Sequence, residues 1–113
     1  MSLVAKTLTL LNQTAVAAST SVVINLVEAE GYAVGVHSAN GSGSTVVKLQ
    51  ASVDGTNYVD IPSLTVTLTT GGQDTIWYVD RPTYAFAKLV VTYGSGAVDL
   101  FISCNLRVTQ QGA

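Results

Sequence analysis

Residues 45–62, TVVKLQASVDGTNYVDIP, read as strand, tight turn, strand. Val47, Leu49, Ala51 and Val53 fall on one face of the first strand, and Val46, Lys48, Gln50 and Ser52 on the other. Successive side chains of a strand face opposite sides, so this alternation predicts a half-buried strand. Asp54-Gly55 marks the turn, because Gly accepts the positive φ that a hairpin needs. Tyr58, Val59 and Ile61 restart the pattern and Pro62 ends it.

The same pattern extends in both directions. Downstream, Leu64, Val66 and Leu68 alternate with Thr65, Thr67 and Thr69, and Gly71-Gly72 turns the chain. Gln73 to Val79 brings Ile76, Trp77 and Tyr78, and Asp80-Arg-Pro82 breaks the run. Tyr84 to Tyr93 reads as a long strand and Gly94-Ser-Gly96 as a turn. From Ala97 to Thr109, Val98, Leu100, Ile102, Cys104, Leu106 and Val108 face inward, and Asp99, Ser103, Asn105 and Arg107 outward. Upstream, Ala39–Ser44 (ANGSGS) reads as a flexible loop. Tyr32, Val34 and Val36 share one face of a strand before it. Residues 21–27 form a short strand, residues 3–11 a first strand, and residues 12–20 an Ala-rich connection. No window has a helical period, and Thr and Val favour strands through their β-branches. The reading is all-β: a single antiparallel β-sandwich over residues 1–113, jelly-roll-like or immunoglobulin-like, of about seven to nine short strands.

Composition narrows the function classes. A chain of 113 residues is one domain and buries roughly 65% of its unfolded surface, enough for one core. Charged residues are 11% of it, against about 25% in ordinary domains, so Thr, Ser, Asn, Gln and Gly or neighbouring chains must cover the surface. A formal net charge of -2 with scattered basic residues is no footprint for nucleic acid or an anionic membrane. No run is long enough for a transmembrane helix. One cysteine excludes an intrachain disulfide, the immunoglobulin bridge included, and a cysteine-based zinc site. The N-terminal TLTLLNQTAVAAS loosely mimics a signal peptide ending in Ala15-x-Ala17, but Thr7, Thr9, Asn12 and Gln13 interrupt the apolar region, so cleavage is not expected. Both chain ends are expected to lie against the fold or a neighbouring chain.

Chemistry-bearing residues are few. His37, the only histidine, lacks a nearby nucleophile motif and reads as a surface or edge-strand residue. Cys104 shares a face with Ile102 and Leu106 and reads as a small core residue. Asp54, Asn57 and Asp60 offer oxygens in one loop without the spacing of a calcium-binding loop, and Asp54 reads as a turn residue. Tyr58, Trp77, Tyr78, Tyr84 and Tyr93 suit a core, an interface or a sugar platform. Glu28 and Glu30 flank a turn and read as solvated carboxylates rather than a glycosidase pair. Asn12-Gln-Thr14 and Asn40-Gly-Ser42 match glycosylation sequons, discounted without a signal peptide. No catalytic, cofactor-binding or metal-binding residue is assigned, and no enzyme is expected.

The segment LQASVDGTNYVDIP, Leu49 to Pro62, resembles a pattern of small tailed-phage virion proteins: a strand, then S-x-D-G-T-N-(aromatic), then an apolar-Pro ending. The opening TLTLLNQTAVAAS and the late TYAFAKLVVTYGSG look similar to that group. The motif also occurs in bacterial carbohydrate-binding and adhesive β-sandwiches. The resemblance implies a non-enzymatic virion protein, of the capsid cement or decoration type. It would be made in the bacterial host cytoplasm and sit on the capsid surface as a dimer or trimer. Its partner would be the major capsid protein or other virion subunits, with no nucleic acid, membrane or cofactor. The alternative it leaves is a carbohydrate-binding module or a fibre or tail adhesin.

Overall fold

Val and Thr hold their side-chain torsions more readily in extended backbone than in a helix, and strands dominate this chain. The computed structural model describes residues 2–16, 18–27, 29–70, 73–80 and 82–110. Six strands follow one another: β1 (Ser2–Val16), β2 (Thr20–Asn25), β3 (Ala29–Ser52), β4 (Val59–Thr70), β5 (Asp74–Asp80) and β6 (Phe86–Gln110). No described residue is helical. Met1, Glu28, the Gly71-Gly72 turn and Arg81 lie outside the described residues.

β3 and β6 run 24 and 25 residues. They pair with each other antiparallel from Ala29↔Val108 to Ser52↔Phe86. β1 adds to the C-terminal half of β6, and β5 to the N-terminal half of β3. β2 adds to the N-terminal half of β6, and β4 to the C-terminal half of β3. Each half is therefore four strands wide, ordered β1-β6-β3-β5 and β2-β6-β3-β4. Of the two sandwich types left open above, this order is that of a jelly roll. Two strands are not short, because each serves both halves. The inner faces share one core, with Val34, Val36, Leu100 and Ile102 from one half and Val47, Leu49, Leu89 and Val91 from the other.

The passage between halves corrects the sequence reading. Residues 39–44 and 94–96 are not loop and turn but opposed strand, with Gly43↔Gly96 and Ser44↔Ser95 in register. Each long strand carries one extra residue here. Asn40 bulges between the pairs Ala39↔Asp99 and Gly41↔Val98, and Gly94 between Ser44↔Ser95 and Thr45↔Tyr93. One extra residue moves every later side chain to the opposite face. So β3 buries Tyr32, Val34, Val36 and Ser38 before the bulge but Thr45, Val47 and Leu49 after it. β6 buries Ala87, Leu89 and Val91, then Val98, Leu100 and Ile102. The two bulges compensate, and the inner face stays continuous across the crease. The backbones meet closely there: Gly43 has φ 129°, and a Cβ on Gly94 would lie 2.6 Å from the Ser44 carbonyl oxygen.

Four further readings change. Pro62, expected to end a strand, lies inside β4, which joins the Val59–Ile61 run to the Leu64–Leu68 run. β1 continues through residues 12–16, expected as a connection, and pairs Asn12↔Phe101 and Val16↔Val98. The turn at Asp54-Gly55 is part of a longer connection between Ser52 and Val59. Ser52 and Val53 exchange faces: Ser52 is buried, while Val53 is 78% exposed. The shared face of Leu64, Val66 and Leu68 and that of Tyr32, Val34 and Val36 turn to the core, and the inward assignment of Val98 through Leu106 holds.

Candidate functional site

Two surfaces stand out, and the first is the loop end of the sandwich. Its architect is Asp54, placed just past the last ladder position of β3. The Asp54 carboxylate accepts the backbone N–H groups of Thr56 and Asn57, each at 2.8 Å, the Asn57 side-chain amide at 2.8 Å and the Ser52 hydroxyl at 3.0 Å. Ser52 Oγ in turn accepts the Gly55 N–H at 2.8 Å. The amides of Asn57 and Thr56 foremost, then the Asn57 and Ser52 side chains, hold the Asp54 carboxyl well below the usual carboxylate range. This explains why Ser52 is inward: its hydroxyl ties the strand end to the loop. Asp54 is thus committed to the turn. Asp60 points elsewhere, to Gln50 at 2.9 Å and Lys48 at 3.2 Å, so the three loop oxygens do not converge as a calcium set.

Gly55 has φ 79°, the positive value expected for it. A Cβ there would also lie 3.1 Å from the Phe86 ring. Gly55→Val is expected to cost about 1–3 kcal/mol, the usual range for a non-glycine residue held in this region. An unchanged urea midpoint would show that the loop re-forms without this geometry. The Asp54 bonds also set a pH response. A carboxylate whose folded pKa is depressed contributes stability above its unfolded pKa, near 3.9, and loses it as pH falls through the folded value. The stability difference between wild type and Asp54→Ala is therefore expected to be constant from pH 7 to about pH 5 and to shrink below about pH 4. Urea titrations at pH 7 and pH 3 check it; a gap that widens at pH 3 would contradict the assignment.

Beside this loop lies a cleft of about 360 Å³, lined by Ala51, Val53, Asn57, Val59, Thr83 and Tyr84 among others. Val53 and Val59, 78% and 69% exposed, form its rim. The Tyr84 hydroxyl is 2.9 Å from that of Tyr32, which is buried in the core. Burial, then the bond to Tyr84, pushes the Tyr32 phenol upward, so it stays protonated. The Leu26 N–H donates to the Ala85 carbonyl at 2.8 Å, placing exposed Val27 at the same end.

The second surface is the outer face of the β1-β6-β3-β5 half. His37 lies there, exposed, with Nδ1 2.8 Å from Asp74 Oδ1 and its ring stacked on Phe101, centroids 6.3 Å apart. Its chain neighbour Ser38 points the other way, donating its hydroxyl to the Gln73 carbonyl and accepting the Gln73 N–H. Exposed Ile76 and Tyr78 flank this face on the edge strand β5.

The remaining candidates scatter. Cys104 is buried, and desolvation pushes its thiol up to about 11, which keeps it from acting as a nucleophile at neutral pH. Trp77 is core; Tyr58 lies half-buried beneath the Lys88 ammonium, 4.1 Å from the ring centroid; Tyr93 is half-buried. The five aromatics therefore form no single platform. Glu30 is exposed, second in β3, and Glu28 lies outside the described residues. Asn12 is exposed on β1. Sequence reasoning missed Phe101, an apolar residue among the polar outward positions of β6; its even-numbered neighbours Leu100 and Ile102 face the core, which already placed it outside.

No family model matches the chain, and neither does any curated protein sequence. Among solved structures it is similar to the SPBc2 prophage-derived protein YomS, at 11% identity and a TM-score of 0.68, over 95% of this chain and 96% of that one. It is similar to a protein of the disulfide-linked pili that form Bacillus endospore appendages, at 19% identity and a TM-score of 0.57, over 96% and 89% of the two chains. It is also similar to the coat protein of Tobacco streak virus, at 9% identity and a TM-score of 0.53, over 98% and 89%. At these identities the likeness is one of fold, and what it establishes is an all-β sandwich spanning the chain from one end to the other.

Proposed function

We propose that this protein is a non-enzymatic structural subunit of a phage particle, a cement or decoration protein that grips the outside of the major capsid lattice as a homo-oligomer. The observation that carries the reading is the loop end. Val27, Val53 and Val59 are three of the seven large hydrophobic side chains exposed among the described residues, and two of them rim an apolar cleft. An apolar cleft with exposed valines at its rim, and a third exposed valine at the same end, suits burial against another protein on a body with only 11% charged residues. The fold neighbours that match end to end support it: a prophage-derived protein, a pilus protein and a viral coat protein. So does the resemblance of Leu49 to Pro62 to small virion proteins.

A clamp that touches several shell subunits gains avidity, about 10² to 10⁴ over a single contact. Binding to assembled shells should far exceed binding to free subunits. Because the contact is apolar, it should survive about 1 M salt, where screening acts over about 3 Å. The test is cosedimentation with shells lacking this protein, at low and high salt. Val53→Asp with Val59→Asp should abolish binding while leaving the fold intact, since both side chains already face water. Equal binding to shells and free subunits, release by modest salt, or indifference to the double variant would reject the reading. Truncation at residue 6 is not a clean alternative, because residues 2–6 pair with 106–110 inside the sheet. A carbohydrate-binding module or adhesin is the second reading, favoured by one observation, the exposed Tyr78 beside Arg107.

A further inference from the structure

We infer that the outer face of the β1-β6-β3-β5 half carries a binding site for an acidic sugar, a single carboxylate-bearing pyranose seated between Tyr78 and Arg107. The ladder places the residues. Tyr78, Ala33, Asn105 and Thr7 form one row across the four strands, and Asp80, Gly31 and Arg107 form the next. Side chains of adjacent rows on one face lie about 7 Å apart along the strands. Between them is a concavity of about 210 Å³, lined by Gly31, Ala33, Tyr78, Asn105 and Arg107 among others.

The hollow exists because its floor is built from the two smallest residues. A Cβ on Gly31 would already come within 3.2 Å of the Val79 carbonyl oxygen, and Ala33 lines the hollow with a single methyl. Its walls are chemically unlike one another. Tyr78 is 57% exposed on an edge strand, where a large aromatic gains little from folding. Arg107 makes no ion pair with any described residue, although Asp80 stands in its row two strands away. The Asn105 amide donates to Thr7 Oγ1 at 3.2 Å, which orients it and leaves its carbonyl oxygen free to accept.

A pyranose matches all three. Its C–H face is apolar and lies flat on an aromatic ring. Its hydroxyls donate to an amide oxygen. Its carboxylate accepts the two parallel N–H groups of a guanidinium, the geometry that distinguishes Arg from Lys. Drug-sized ligands need roughly 300 Å³ or more, so this smaller hollow suits one sugar ring. An apolar protein surface suits it less, because covering an unpaired guanidinium is costly. The site lies apart from the Val53–Val59 cleft, and it stands or falls independently of the structural role proposed above.

Amide NMR titration of the full chain with tri-galacturonate tests the inference, with maltotriose as the neutral counterpart and inorganic phosphate as the bare anion. Saturable shifts confined to the neighbourhood of Gly31, Ala33, Tyr78, Asn105 and Arg107 are expected. Maltotriose should bind about tenfold more weakly or worse, since it lacks the charged hydrogen bond. Phosphate should bind more weakly still, having nothing to stack on Tyr78. Ala33→Leu, which fills the hollow with an apolar side chain, and Tyr78→Ala should remove the shifts; Arg107→Lys should weaken them despite keeping the charge. Each substituted residue is exposed or half-exposed, and a melting curve of each variant checks the fold. No saturable response, shifts centred elsewhere, an equal response to maltotriose or phosphate, or unchanged binding by Ala33→Leu would overturn the site.

Discussion

Gly43→Ala is expected to unfold the protein or to lower its stability by about 3 kcal/mol or more, among the largest effects a single methyl can have. At φ 129° the backbone of residue 43 sits where only glycine is comfortable. The added Cβ would overlap the Ser95 carbonyl and lie 2.8 Å from the Gly96 Cα. These neighbours are backbone atoms of the opposing strand and cannot swing aside as a side chain would. A domain has only about 5–15 kcal/mol in hand, so the loss is a large share of the total. Gly35→Ala is the control. Its Cβ would meet His37 Nε2 at 3.6 Å and Ser103 Oγ at 3.7 Å, ordinary contacts in an extended strand. That variant should stay within about 0.5 kcal/mol of wild type. Urea unfolding of both decides the matter, and similar losses would mean that the crease is not the close backbone crossing described above.

Core truncation should show a comparable range for a different reason. Leu49→Ala is expected near 4–5 kcal/mol and Leu106→Ala near 2 kcal/mol, the two ends of the usual span. Leu49 is fully buried on a central strand opposite Leu89, so the space it vacates is sealed. Leu106 is 6% exposed and lines an open cleft of about 400 Å³ with Lys6, Val27 and Val108. Removing its methyl groups widens a space that water already reaches, and little new void is created. Equal losses at the two sites, measured as shifts in unfolding midpoint, would show that the cleft closes in solution.

Where one face of a strand meets the core and the other meets water, the alternation of the sequence shows it directly. Leu64, Val66 and Leu68 against three threonines, and Val98 through Leu106, are cases of this kind. The crease escaped such reading because two independent signals failed there together. Glycine and serine in residues 39–44 and 94–96 imitate a loop, and each bulge breaks the period that would have joined the flanking runs. What makes them strand is the opposite segment, some fifty residues away in sequence, and local pattern carries no record of it. Ser52 escaped for a similar reason: a hydroxyl that serves a turn can be buried at a place where hydropathy expects water. The candidate sites were less legible still. Arg107 is visible as an outward residue and Tyr78 as one of five candidate aromatics, but the hollow between them depends on Gly31 and Ala33 in a third strand.

The pairing of β1 with β6 has a consequence for how the molecule comes into being. Ser2 sits opposite Gln110, and every strand except β4 and β5 needs β6 as a direct neighbour. During synthesis, at about 5–20 residues per second, β1, β2 and most of β3 emerge and wait without the partner they were shaped for. The long β3 ribbon then offers an unpaired edge that only β6 can close. Such topologies are slow to form, on the order of milliseconds to seconds even for small domains. The polar Thr and Ser flanks of these strands, and the Gly-Ser interruption in the middle of β3, shorten the sticky stretches available to other nascent chains during that interval. The glycines that let two backbones cross in the finished protein also divide the apolar runs of an unfinished one.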